Sequence, residues 1–278
     1  MQIYISNFLT LTLLLLTFNQ AAFASDTDRS IIQEALNGIV CPRNIDVIVE
    51  GAYYQGHRMN SKEKKPERHF ESDTLDHSFR YIKAERKKIL NAARDAGPEP
   101  EMRTRALFHF GMMLHTINAF YENTDFVERE EKRLTESGTE SFDPYEMELL
   151  DWSMAEKGGY KKLSEEERNK RATKQLQNST YGKVARGLAI REAIRQWDYL
   201  EGLLRSRYPQ DADTIVSALK SAGCDNLVPE EIKDHPLSVT FERQTAVRAI
   251  FDRRQIADSF YVSAERIDSP ERCRLNHA

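Results

Sequence analysis

The sequence predicts a mainly α-helical bundle with long loops and a charged insertion. Three observations carry that expectation. Apolar residues recur at three- and four-residue spacing through most of the chain, the period of a helix face. The stretch from Met102 to Tyr121 is apolar on nearly every side, as a central buried helix is. Only 12 glycines and nine prolines occur in 278 residues, which excludes collagen-like and low-complexity architecture. Hydrophobic residues at 40% and aromatic residues at 9% suffice to pack one large domain or two small ones.

Taken in order, Ile31, Ile32, Ala35, Leu36 and Ile39 share one helix face, and Pro42 is expected to stop that helix. The run Ile45–Val49 reads either as a short strand or as the start of a second helix. From Gln55 to Arg68 the composition is polar, with Lys62-Glu63-Lys64-Lys65-Pro66 at its centre, and predicts an exposed loop. Leu75, Phe79, Ile82, Ile89, Leu90 and Ala93 mark a helix closed by Gly97-Pro98. After the buried Met102–Tyr121 helix, residues 128–178 are highly charged around Gly158-Gly159. They predict a solvated insertion with marginal helices. Val184 to Leu204 forms a long amphipathic helix and Ala212 to Leu219 a shorter one. The tail offers a possible strand, Leu237–Phe241, and a basic helix carrying Val247, Ile250, Phe251, Ile256 and Phe260.

Residues 1–24 hold no charged side chain, and the apolar run Phe8–Leu16 leads to the small-x-small pattern Ala22-Phe23-Ala24. Such a run is short for a bilayer and suits a signal peptide. The absence of Lys or Arg before it leaves an uncleaved anchor as the other reading. A mature domain of residues 25–278 is expected to be secreted or periplasmic, with no later transmembrane segment. Cys41, Cys224 and Cys273 allow at most one disulfide, whose pairing the sequence leaves open. Forty basic against 44 acidic side chains remove the electrostatic case for a nucleic-acid partner.

Candidate chemistry rests on the seven histidines, because no phosphate loop, nucleophile elbow, HExxH motif or EF-hand loop is present. His77, His235 and His277 lie in polar or terminal surroundings. His109 and His115 share the buried helix, but six residues at about 100° each place them roughly 120° apart, unsuited to one shared ion. His115 has Asn118, Glu122, Asn123 and Asp125 along its face and at the helix exit, while His57 and His69 flank the charged loop. Neutral imidazoles projecting from facing elements are good zinc ligands, so His57, His69 and His115 form a candidate metal set.

The segment from Leu114-His115-Thr116-Ile117-Asn118-Ala119-Phe120-Tyr121 through Glu122-Asn123-Thr124-Asp125-Phe126-Val127-Glu128 resembles the signature of the HET-C family. That family is similar to the zinc-dependent phospholipases C, and its signature reads approximately L-H-T-[LI]-Q-D-F-Y-S-H-S-N-[WY]-V-E. Arg68-His69-Phe70-Glu71 is similar to the family's H-F-D element. Ile48 to His57 is similar to an I-x-x-A-N-x-x-x-D element, and Ala185–Ala189 to an A-x-x-L-A stretch. The resemblance spans roughly residues 28–220.

It implies a helical fold and a zinc cluster that activates water against a phosphodiester. It also implies metal ligands at His115, four residues on and eight residues on. Here those last two positions are Ala119, which cannot ligate, and Asn123, a weak zinc donor. His57 stands at the family's upstream Asp, Asp28 at its N-terminal His, and Glu71 at the Asp of H-F-D.

Three functions follow as expectations. The first is a secreted relative with lost or reduced catalysis that binds a phospholipid head group or a protein partner. The second is an active metal-dependent phosphodiesterase, with zinc on His57, His69 and His115 and with Glu71 and Asp125 handling water. The third is an unrelated secreted helical protein.

Overall fold

The structure, a computed structural model, describes residues 27–57, 65–71, 75–138, 147–152, 159–177 and 179–221. Residues 1–24, expected to be a signal peptide, the strand and helix expected at 237–260, Cys224, Cys273, His235 and His277 lie outside the described residues. The fold is mainly α, as expected. Helices α1 (27–36), α2 (Pro42–His57), α3 (Asp76–Ala93) and α4 (Pro100–Asn123) are followed by α5 (Phe126–Glu136) and α6 (Glu165–Thr173). A two-residue hairpin, β1 (Gln175–Leu176) with β2 (Ser179–Thr180), leads into α7 (Tyr181–Arg207) and α8 (Ala212–Ser221).

α4 is the axis of the bundle. Nineteen of its 24 residues are buried, so it shows no solvent face, and α2, α3 and α7 all pack on it. α2 approaches most closely. A Cβ placed on Gly51 would lie 2.0 Å from the carbonyl oxygen of Phe108, and one on Gly111 1.9 Å from that of Ile48. Two backbones therefore touch where the side chains would stand. On the opposite flank α3 contributes Phe79, Ile82, Ile89 and Leu90, and α7 contributes Leu188, Ala193, Trp197 and Leu204. Trp197 meets Phe110 edge to face at 5.4 Å.

Three sequence expectations are corrected. Pro42 does not end the first helix. α1 closes at residue 36, ahead of Gly38 at φ +79°, and Pro42 opens α2, where a missing N–H costs nothing. Ile45–Val49 accordingly lies inside a helix. The stretch Gln55–Arg68 is not uniformly exposed, because Gln55 ends up buried within α2 and Arg68 buried in a 3-10 turn, Pro66–Arg68.

The third correction concerns the charged insertion, which is not merely a solvated surface. Met147, Leu150, Leu163 and Leu176 are buried, and Trp152 and Tyr160 join an aromatic cluster around Phe120. Charge density along the chain hid these few apolar anchors. Phe120 is fully buried, with the rings of Phe70, Phe126, Trp152 and Tyr160 at centroid distances of 5.2 to 5.6 Å. Phe120→Ala should lower the unfolding free energy by about 3–5 kcal/mol, read from urea denaturation.

α8 returns to the beginning of α2. Cys41 N–H donates to the carbonyl of Lys220 at 2.8 Å, and Asn44 Nδ2 donates to that of Leu219 at 3.0 Å, which satisfies carbonyls at a helix end. Cys41 is disulfide-bonded, its partner lying outside the described residues. Among the described residues no helix is long and apolar enough to cross a membrane.

Candidate functional site: a buried Asp–His–His chain

His115 projects from the middle of α4 toward α1 and the 65–71 segment. The end of α2 stands beside it, since a Cβ on Gly56 would meet His115 Cε1 at 3.4 Å. Asp28, in the first turn of α1, places Oδ2 2.6 Å from His115 Nδ1, and its Oδ1 accepts from Asn118 Nδ2 at 2.9 Å. On the other edge of the ring, His115 Nε2 faces His69 Nδ1 at 2.8 Å. All four residues are more than nine-tenths buried.

These contacts restrict the protons. An ionised Asp28 can only accept, so His115 carries its hydrogen on Nδ1. The His115–His69 contact holds one proton. Either His69 donates to a neutral His115, or a cationic His115 donates both ways. Burial by itself would lower the His115 pKa. The adjacent Asp28 carboxylate, helped by Glu122 and Glu71, more than offsets that and raises it.

The 65–71 segment is docked by its own backbone. Thr116 Oγ1 donates to the carbonyl of Arg68 at 2.8 Å, and Asn123 Nδ2 to that of His69 at 2.8 Å. Phe70 follows in the left-handed region at φ +49°, a conformation costing about 1–3 kcal/mol in a non-glycine residue. Its ring is fully buried against Phe79 and Phe120, which holds that conformation in place.

Asn123, where the resemblance implies a metal-binding His, is otherwise engaged. Its Oδ1 accepts from Arg168 Nη1 of α6 at 3.0 Å, and the same nitrogen lies 3.3 Å from Glu71 Oε1. Lys162 Nζ donates to the carbonyl of Glu71 at 2.7 Å. Glu122 is pushed upward by crowding and by Asp28, against the pull of His115, Arg168 and Arg171.

The residues expected from sequence thus separate. His69 and His115 come together, with Glu71 tied to them through Arg168 and Asn123. Asp125 does not join them, because its Oδ1 accepts from Lys161 N–H at 2.7 Å and its Oδ2 from Arg129 Nε at 2.9 Å, local ties at the start of α5. His57 is the last residue of α2, and its side chain lies outside the described residues. His109 serves another interface, with Nδ1 2.7 Å from Glu85 Oε2 of α3. Burial opposes the charge on Glu85, but His109 and Lys88 outweigh it, and its pKa is lowered. His77 is exposed.

Arg168 escaped the sequence reading altogether. One arginine in a highly charged stretch carries no signal of its own, and only the Ser164–Glu167 capping box beside it announced a helix.

Among the described residues no group of three or more His, Cys, Asp or Glu side chains is placed to hold a metal ion. The geometry gives the reason. Asp28 engages the His115 nitrogen that points away from His69, so the three groups do not converge on one point. Two facing imidazole nitrogens fall short of the three protein ligands a catalytic zinc takes, and buried Ala119 adds none.

The fold and site define a helical bundle whose interior polar chain links α1, α4 and the 65–71 segment. Comparison with known proteins finds no family model, no curated protein and no solved structure that matches the chain.

The raised His115 pKa makes a pH prediction. A group whose folded pKa lies above its unfolded value of 6.5 contributes stability below that pH and loses it as pH rises through the folded pKa. In chelator-treated protein, the stability difference between wild type and Asp28→Asn should therefore be largest below about pH 6.5 and shrink at alkaline pH. Urea midpoints across that range measure it. A difference that grows with pH would contradict the assignment.

Proposed function

We propose that the chain is a secreted α-helical protein of the HET-C/phospholipase C-like type in which hydrolysis is lost or reduced and binding is the working role. The observation that carries this reading is Arg168. The resemblance implies a cation held near the Asn123 position and near Glu71. In this chain a guanidinium on α6 contacts both side chains. A positive charge supplied by the protein itself keeps the surrounding polar groups neutralised without a metal, but it offers no open coordination position for water. Ala119 supports the same reading, and the disulfide at Cys41 accords with a compartment outside the cytoplasm. A phospholipid head group or a protein surface is the class of partner proposed.

A second reading is favoured by one observation. His69 Nδ1 and His115 Nε2 face each other with Asp28 behind the second ring, the arrangement in which a carboxylate orients a metal-bound imidazole. With His57 as a third ligand, zinc and a phosphodiesterase activity would remain.

One experiment separates them. The mature protein, residues 25–278, is dialysed mildly, analysed for metals, and assayed on phosphatidylcholine vesicles with and without added zinc. The binding reading expects at most one ion per chain and no released head group. Two or more zinc ions with turnover would overturn it.

A further inference from the structure

We infer that α6 is an electrostatic strap at the His69 end of the Asp28–His115–His69 chain, held by Arg168 and Arg171 and loosened by salt at Arg168. A helix usually docks through an apolar stripe. α6 docks differently, because its one buried residue is Arg171. Arg171 Nη1 donates to the carbonyls of Glu122 at 2.9 Å and Thr124 at 3.0 Å, at the open end of α4, and Nε lies 3.2 Å from Glu128. One turn earlier, Arg168 grips Glu71 and Asn123. Since Asn123 in turn donates to the carbonyl of His69, two hydrogen bonds lead from α6 to the backbone of that buried residue.

The apolar anchors of this segment sit outside the helix, at Leu163 before it and Leu176 after it. Its backbone at Ala172 rests on Gly182 of α7, so the Arg168 side of α6 can open while that side and the flanks stay packed, a local opening set by the polar contacts facing Glu71 and Asn123. Arg168 keeps about a quarter of its side chain in water, so its ion pair is open to screening. Raising NaCl from about 0.1 M to about 1 M shortens the screening length from roughly 10 Å to roughly 3 Å. Apolar anchors do not weaken in that way. The strap rests on this geometry and not on the proposed binding role.

The test is carbethoxylation of histidines by diethyl pyrocarbonate in the full mature chain, followed residue by residue by peptide mass mapping. Exposed His77 is the internal reference. Moving from low to high salt should speed modification of His69 about tenfold relative to His77. Arg168→Ala should reach the fast rate at low salt and lose the salt response, with its far-UV spectrum unchanged. Lys170→Ala, which removes an exposed ion pair with Glu166 on the same helix, should behave as wild type. The strap is ruled out by a His69 rate indifferent to salt in the wild-type protein, which decides the matter even where Arg168→Ala does not fold. It is equally ruled out by a Lys170→Ala variant as fast as Arg168→Ala.

Discussion

Gly111→Ala should cost about 3 kcal/mol or more, although alanine is the better helix former by about 1 kcal/mol. The added methyl would sit 1.9 Å from the carbonyl oxygen of Ile48 and 2.9 Å from the amide nitrogen of Ala52. Both are backbone atoms of α2, so no side-chain rotation relieves the clash, and the two helices must separate along their whole contact. Gly51→Ala makes the reciprocal clash with Phe108 and should cost a similar amount. Gly202 is the control. It lies in α7, and a methyl added there would have no atom within 4 Å, so Gly202→Ala should stabilise by about 0.8 kcal/mol through helix propensity alone. Urea midpoints of the three variants give the contrast. A Gly111→Ala protein as stable as wild type would mean that α2 and α4 do not cross at this distance. Because Gly56 and His115 belong to the same pair of helices, the loosened crossing should also disturb the candidate site.

That crossing also marks where sequence reading stops. The helices themselves were legible because periodicity reports a face, and α4 was legible as the axis because apolar residues occupy nearly every side of it. Which helix would lie against which was not, since a glycine inside a helical pattern looks like a weakness until its neighbour is known. The site divides in the same manner. His115 and His69 were recognisable from a local motif, and Asp28 from its position near the start of the resemblance. Their convergence required three separate elements to meet, which no local pattern encodes. Arg168 and the half-buried Trp152 were hidden for the opposite reason. Each sits in a stretch whose average composition says surface, and a fold needs only a few correct contacts from such a stretch.

Glu192 shows how much can rest on one contact of this kind. It lies on α7 among Leu188, Ala189, Ala193 and Gln196, so the helical pattern marks its position as interior, and its side chain is fully buried. Oε2 accepts from Tyr121 Oη at 2.8 Å, and Oε1 accepts from Trp152 Nε1 at 2.8 Å and Gln196 Nε2 at 2.6 Å. Arg195 supplies the countercharge. Burial first, and then the Glu192 carboxylate, hold the Tyr121 hydroxyl well above its ordinary pKa, so it remains a donor. One carboxylate therefore ties α4, α7 and the insertion together.

Glu192→Ala strands the Tyr121 donor in the interior, removes the acceptor of the half-buried Trp152 N–H, and should cost about 3–5 kcal/mol. The 147–152 segment should loosen first, since Arg195 also holds the Leu150 carbonyl. Trp152 emission should then shift to the red ahead of global unfolding in a Trp197→Phe background. The partner test is Tyr121→Phe, which removes one donor and should cost only about 1 kcal/mol by itself. Added to Glu192→Ala, it should cost almost nothing more, because the hydroxyl it deletes has already lost its acceptor. If the two losses simply add, the buried carboxylate is not what joins the insertion to the bundle.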